Sequence, residues 1–225
     1  MDRMHTTSSR ISTVALAALS LAMVACGGGD PADTGSGSSV SSMTVPPSSD
    51  PFSQPVAVDR SDRDSTASGV LDAFARGDWA MVADLSADTG VRFTPHTHVD
   101  VETDQTLTND ELATFDTDQT QRTWGTAEGS GEPIVMTNEQ YLARYVWDHD
   151  YRTAPDVRWN ATQDRGNVID NVQDVYPGAS VVEYHFAGFD EQYGGMDWRS
   201  LRLVMAQDDA GEWTLYGVIH DEWAP

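Results

Sequence analysis

From residue 66 onward, large apolar residues recur at intervals that separate helix from strand. Val70, Leu71 and Phe74 keep helical spacing, Gly77 interrupts it, and Trp79, Val82 and Leu85 resume it. Two short helices are predicted, with Asp78 capping the second. Residues 90–93 read as a strand ended by Pro95, and residues 98–102 alternate as another. Thr108-Asn-Asp-Glu111 and Thr137-Asn-Glu-Gln140 are capping boxes, in which a hydroxyl and a carboxylate or amide satisfy orphan backbone donors. The second opens a helix through Tyr141, Leu142, Tyr145 and Val146. Residues 122–127 and 133–136 read as strands flanking a Gly-Ser-Gly loop. The last third predicts strands at 180–189, 198–207 and 212–223, with Asp208-Asp-Ala-Gly211 as the turn joining the last two. Short helices followed by a run of strands is an α+β order.

Ahead of this pattern the chain is different in kind. Arg3 and Arg10 precede an apolar run over residues 11–25, about 15 residues, shorter than the ~20 needed to span a bilayer as a helix. It reads as a signal peptide. Its end, Met23-Val24-Ala25-Cys26, resembles the bacterial lipobox, in which the cysteine thiol accepts a diacylglyceryl group before cleavage. Acyl chains anchor at roughly 0.8 kcal/mol per buried CH₂. Residues 27–65 are mostly Gly, Ser, Asp, Pro and Thr and predict a disordered tether spanning roughly 35 Å. The expected organisation is a signal peptide (1–25), a lipidated Cys26 with its linker (26–65) and a globular domain (66–225). Such a protein faces away from the cytoplasm in the cell envelope. In a cell with two membranes, Gly27 after the cysteine points to the outer one.

Charge narrows the partners. All 13 basic residues are Arg, against 36 Asp and Glu, giving a net charge of −23. Such a surface repels nucleic acid phosphates and anionic lipid headgroups, so nucleic acid is excluded as a partner. It suits a solvated acidic exterior of the kind saline habitats favour; no EF-hand pattern supports calcium binding. Cys26 is the only cysteine, so no intramolecular disulfide forms.

Residues 73–85, followed by a strand and a terminal run of strands, resemble the NTF2-like (SnoaL-like) cone fold. Residues 124–134, Val175-Tyr-Pro, Val182-Glu-Tyr-His-Phe, residues 193–204 and Ile219-His-Asp-Glu-Trp are similar to a family of uncharacterised bacterial lipoproteins. The resemblance implies N-terminal helices packed on a curved antiparallel sheet, and brings no known activity.

If Asp208 to Gly211 closes a tight hairpin, Leu203 faces Tyr216, Leu201 faces Val218, and Arg199 faces His220. Within a cone, Glu183, His185, Arg199 and His220 would meet in the cavity, with Asp197, Asp221 and Trp223 near its rim. A carboxylate beside an imidazole suits general base chemistry, and a guanidinium suits anchoring an anion. The competing reading is a buried polar network that only holds the sheet together. His96 and His98 are weak metal candidates, sharing a face only if the chain stays extended, and no metal or other cofactor is expected. Asp148-His-Asp150 reads as a polar helix end. Tyr193, Gly194, Gly195 and Trp198 form a distinctive loop whose paired glycines permit close approach to a ligand or a packed neighbour. No nucleophile elbow, P-loop, dinucleotide fingerprint or His-Glu-x-x-His is present. The sequence therefore favours a non-catalytic module, more a binder than an enzyme, for a small molecule, glycan or envelope protein. An acid–base enzyme and a structural accessory protein are the alternatives.

Overall fold

The computed structural model describes residues 57–161 and 169–223. The expected signal peptide, Cys26 and residues 27–56 of the expected tether lie outside the described residues.

Local chemistry sets the helices. α1 (Arg63–Arg76) starts where the Asp62 carboxylate accepts from the Ser65 N–H, and stops at Gly77 with φ +65°. α2 (Trp79–Asp84) is capped by Asp78, which accepts from the Met81 N–H at 3.1 Å. Both capping boxes form, opening α3 (Asn109–Ala113) and α4 (Asn138–Tyr141). α4 continues as a π-helix over Leu142–Val146, closed by the Trp147 N–H donating to the Leu142 carbonyl at 2.7 Å. α5 (Val172–Val175) is a single turn.

Eight strands follow: β1 (Val91–Thr94), β2 (Gln105–Leu107), β3 (Arg122–Thr126), β4 (Pro133–Met136), β5 (Asp156–Trp159), β6 (Ser180–Phe186), β7 (Arg199–Gln207) and β8 (Trp213–Glu222). β3 and β4 form a separate two-stranded ribbon. The other six build one sheet in the order β2-β1-β8-β7-β6-β5. Only β1 and β8 run parallel. The chain leaving α2 is led into that direction by two bonds to the start of β8: Leu215 N–H to the Leu85 carbonyl, and Ala87 N–H to the Leu215 carbonyl.

This open, mixed sheet corrects the expected cone. A cone curls one face around a cavity, whereas here both faces are packed solid. On the first face Val182, Leu201, Leu203, Leu215 and Val218 meet Val70, Leu71 and Phe74 of α1. On the second, Val181, Val204 and Ile219 pack with Val99 and Val172. Each such fully buried side chain contributes roughly 1.5–3 kcal/mol, which favours a layer covered on both sides.

Two local expectations are also corrected. Residues 98–102 are a turn, because the Asp100 carboxylate accepts from the Glu102 and Thr103 N–H groups and bends the chain. In the terminal hairpin, Leu203 pairs with Val218, Leu201 with His220, and Arg199 with Glu222. Tyr216 is a bulge residue between Val204/Gly217 and Met205/Leu215. It lets Leu215 and Val218, three apart, both face the first core.

Gly90 shows how tightly β1 is seated. Its φ is +85°, and a Cβ there would lie 2.4 Å from the Leu107 carbonyl oxygen. Gly90→Ala combines left-handed strain with a backbone clash, and we expect a loss of roughly 3 kcal/mol. Urea unfolding followed by tryptophan fluorescence measures it; a loss below about 1 kcal/mol would show that the β1–β2 corner yields freely.

Candidate functional site

The sheet sorts the polar groups of β6, β7 and β8 by alternation into two clusters, one on each face. On the second face Arg202, 1% exposed, is gripped by three carboxylates: Nη2 by Asp221 at 2.8 Å, Nη1 by Asp170 at 3.2 Å and Nε by Glu183 at 3.4 Å. Asp221 also accepts from the Thr97 hydroxyl. Burial pushes the Asp221 carboxyl up, against the pull of Arg202. His185 pairs through Nδ1 with the Ser200 hydroxyl at 2.9 Å on the same face. This cluster clamps three strands, and its guanidinium has every nitrogen engaged.

The first-face cluster gathers where α4 meets the end of β8. One extra residue in a helical turn rotates everything after it by roughly 100°, so the π-helix sets the direction of the chain leading to Asp148. Asp148 accepts from the Tyr151 hydroxyl at 2.7 Å, pairs with His149 Nδ1 at 3.2 Å, and meets Arg199 Nε at 3.3 Å. Burial pushes its carboxyl up, but the His220 ring, Tyr151 and His149 together overcome this and hold it well below the usual carboxylate range. His220 is fully buried with Nε2 3.5 Å from Asp148 Oδ2, and neither ring nitrogen completes a hydrogen bond. A buried imidazole with one nitrogen against an ionised carboxylate and the other without a partner is costly unless something else engages it.

A second imidazole stands nearby. The Tyr145 ring, 7% exposed, makes edge contacts with His220 at 5.6 Å and His96 at 5.9 Å between centroids. His96 Nε2 is also buried without a partner. Burial and the neighbouring His220 push the His96 pKa down to about 4, so the ring is neutral at pH 7. Glu222 pairs with Arg144 through both carboxylate oxygens, and with Arg199 Nε at 3.1 Å. Burial pushes Glu222 up, but Arg144, His220 and Arg199 outweigh it and hold the carboxyl down. Glu128, on the β3–β4 hairpin loop, lies 4.0 Å from His96 Nδ1.

Of the residues singled out from sequence, Glu183, His185 and Asp221 lie on the second face, and Arg199 and His220 on the first. The five do not converge on one cavity because the sheet stands between them. Arg199 is held by Asp148 and Glu222, which removes it as an anchor for an anion. Asp197 accepts from the Phe189 and Asp190 N–H groups and braces the loop of Tyr193, Gly194, Gly195 and Trp198. His98 is exposed, with Nδ1 3.2 Å from the Ile169 carbonyl, while His96 turns inward, so they are not a ligand pair. Among the described residues no three His, Cys, Asp or Glu side chains are grouped to hold a metal ion, and no helix is long and apolar enough to cross a membrane. Sequence reasoning missed Arg144, Tyr145 and Glu128 at the first cluster and Arg202 at the second. Arg202 carried a signal, a charge inside the apolar run Leu201–Met205; the others carried none.

No protein-family model, curated protein or solved structure matches the chain. The site is therefore read from its geometry, and that geometry corrects the preference for a non-catalytic module. A display domain has no need of buried ionised groups held by hydrogen bonds around open imidazoles, since each such group costs stability. The arrangement suits acid–base or ligand-binding chemistry instead.

Proposed function

We propose that this protein is an acid–base enzyme acting on a small molecule, with the His220–Asp148 dyad as its proton-transfer centre and His96 as a second, neutral imidazole. The observation that carries this is His220: fully buried, with Nε2 against an ionised carboxylate and Nδ1 without a partner. Asp148 orients the ring through Nε2, and His96 Nε2 accepts or returns a proton at neutral pH. Arg144 and Arg199 hold Glu222 and Asp148 in place. The lipobox-like segment ending at Cys26 supports a setting in the cell envelope, with the site displayed on a membrane-anchored protein.

The test is turnover of a panel of chromogenic esters, lactones and glycosides, each with and without an amino group. We expect at least one to react, and His220→Gln and His96→Gln each to lower kcat at least about a hundredfold with melting little changed. Turnover indifferent to both substitutions, or no turnover across the panel, would end the reading.

A further inference from the structure

Both guanidiniums beside the dyad are engaged within the protein. Arg144 lies on Glu222, and Arg199 lies between Asp148 and Glu222. Neither is left for a phosphate or carboxylate on a substrate. Three carboxylates, Asp148, Glu222 and Glu128, stand against those two cations, and Glu128 is the one without a guanidinium. Among the described residues the one basic side chain placed against it is His96, at 4.0 Å, and that ring is neutral at pH 7. Its side chain is one-quarter exposed, and burial together with Asp221 and Glu222 pushes its carboxyl up. A cation placed against it would relieve that repulsion. The buried Nε2 of His96, without a hydrogen-bond partner on the ring that stands 4.0 Å from Glu128, independently marks the same place as one that receives a ligand.

We infer that the site takes a small organic molecule bearing a protonated amine, and that Glu128 selects it by pairing with that amine. The inference rests on the acid–base reading of the same site and adds its substrate class. An anionic substrate would meet an unbalanced carboxylate and no free cation. A bare metal ion lacks the ligand set, since no three His, Cys, Asp or Glu side chains among the described residues are grouped to hold one. The amine is the handle rather than the reacting group: paired with the Glu128 carboxylate it is held in its protonated form, and the proton transfers of the site concern a neighbouring centre of the same molecule. The β3–β4 hairpin, closed by Ala127 and Gly131, fixes Glu128 at the rim.

The experiment is calorimetric titration of the full chain with three matched probes at low ionic strength: glucosamine, N-acetylglucosamine and glucuronate, which carry a cationic, a neutral and an anionic group on one ring. We expect glucosamine to bind at least tenfold more tightly than the other two. Glu128→Gln should abolish that preference. Asp209→Asn, which removes one charge at the far hairpin turn, should leave it intact. Equal affinities, absence of binding by all three, or a preference that survives Glu128→Gln would each overturn the inference. If it is overturned while His220→Gln still abolishes turnover, the acid–base reading stands alone. If the preference holds but no substrate reacts, the amine site stands and the enzyme reading falls.

Discussion

Arg202→Met should lower stability by about 3–5 kcal/mol at pH 7, a large share of what an ordinary domain has. The substitution keeps most of the apolar volume but takes from Glu183, Asp221 and Asp170 the guanidinium they share. Removing one partner of a buried ionic group costs far more than the group contributes when intact, because the remaining charges stay desolvated. Adding Glu183→Gln and Asp221→Asn to Arg202→Met should therefore recover much of the loss. Acid should help the single variant too, since burial already pushes Asp221 up and its carboxyl protonates readily once Arg202 is gone. Urea denaturation at pH 7 and pH 5 checks both points. A loss under 1 kcal/mol, equal at both pH values, would mean that the carboxylates are well solvated without Arg202.

Acidifying the wild-type protein from pH 7 to pH 4 should change stability less than its separate groups imply, because two perturbed groups oppose each other. His96 has its folded pKa lowered from 6.5 to about 4. The unfolded chain takes up the proton first, so this group costs stability as pH falls from about 6.5 to about 4. Asp104 has its folded pKa raised from 3.8 to about 6, by burial first. The folded chain takes up that proton first, so Asp104 adds stability as pH falls from about 6 to about 4. Each effect is on the order of 3 kcal/mol. Single variants uncouple them. His96→Gln should gain about 3 kcal/mol relative to wild type between pH 7 and pH 4, and Asp104→Asn should lose a similar amount. The amide in Asp104→Asn can still accept from the Thr94 hydroxyl and the Asp100 N–H, so the fold is kept. Asp148 and Glu222, both held below their usual ranges, bring acid lability only below about pH 4.5. Parallel pH dependences in all three proteins would mean that neither group is shielded as described.

The helices were legible because their signals are local. Asp62 aside, the caps at Asp78, Thr108 and Thr137 and the break at Gly77 all act within four residues, and each forms as its sequence implies. Most strands were legible from apolar density alone. Register was not, because a single bulge residue, Tyr216, shifts the alternation partway along β8. Residues 98–102 looked like a strand because alternation does not reveal that the Asp100 side chain will take the backbone donors first.

The candidate site was less legible than the fold. Sequence brought Glu183, His185, Arg199 and His220 together by assuming a curled sheet, and the open sheet parts them. His220 survived as the centre because its position on β8 fixes its face once the bulge is known. Its partner Asp148 lies 72 residues earlier, past a π-helix that no spacing rule announces.

By itself, then, the sequence determined the capped helices, the positions of most strands and the acidic balance of the chain. These depend on residues close in the chain or on summed composition. Only the tertiary structure decided that β1 joins β8 in parallel, that Arg202 rather than Arg199 is the buried clamp, and that the Tyr145 ring lies in edge contact with both His96 and His220. Those facts depend on which face each strand presents and which distant segments cover it, and packing of the whole chain settles both together.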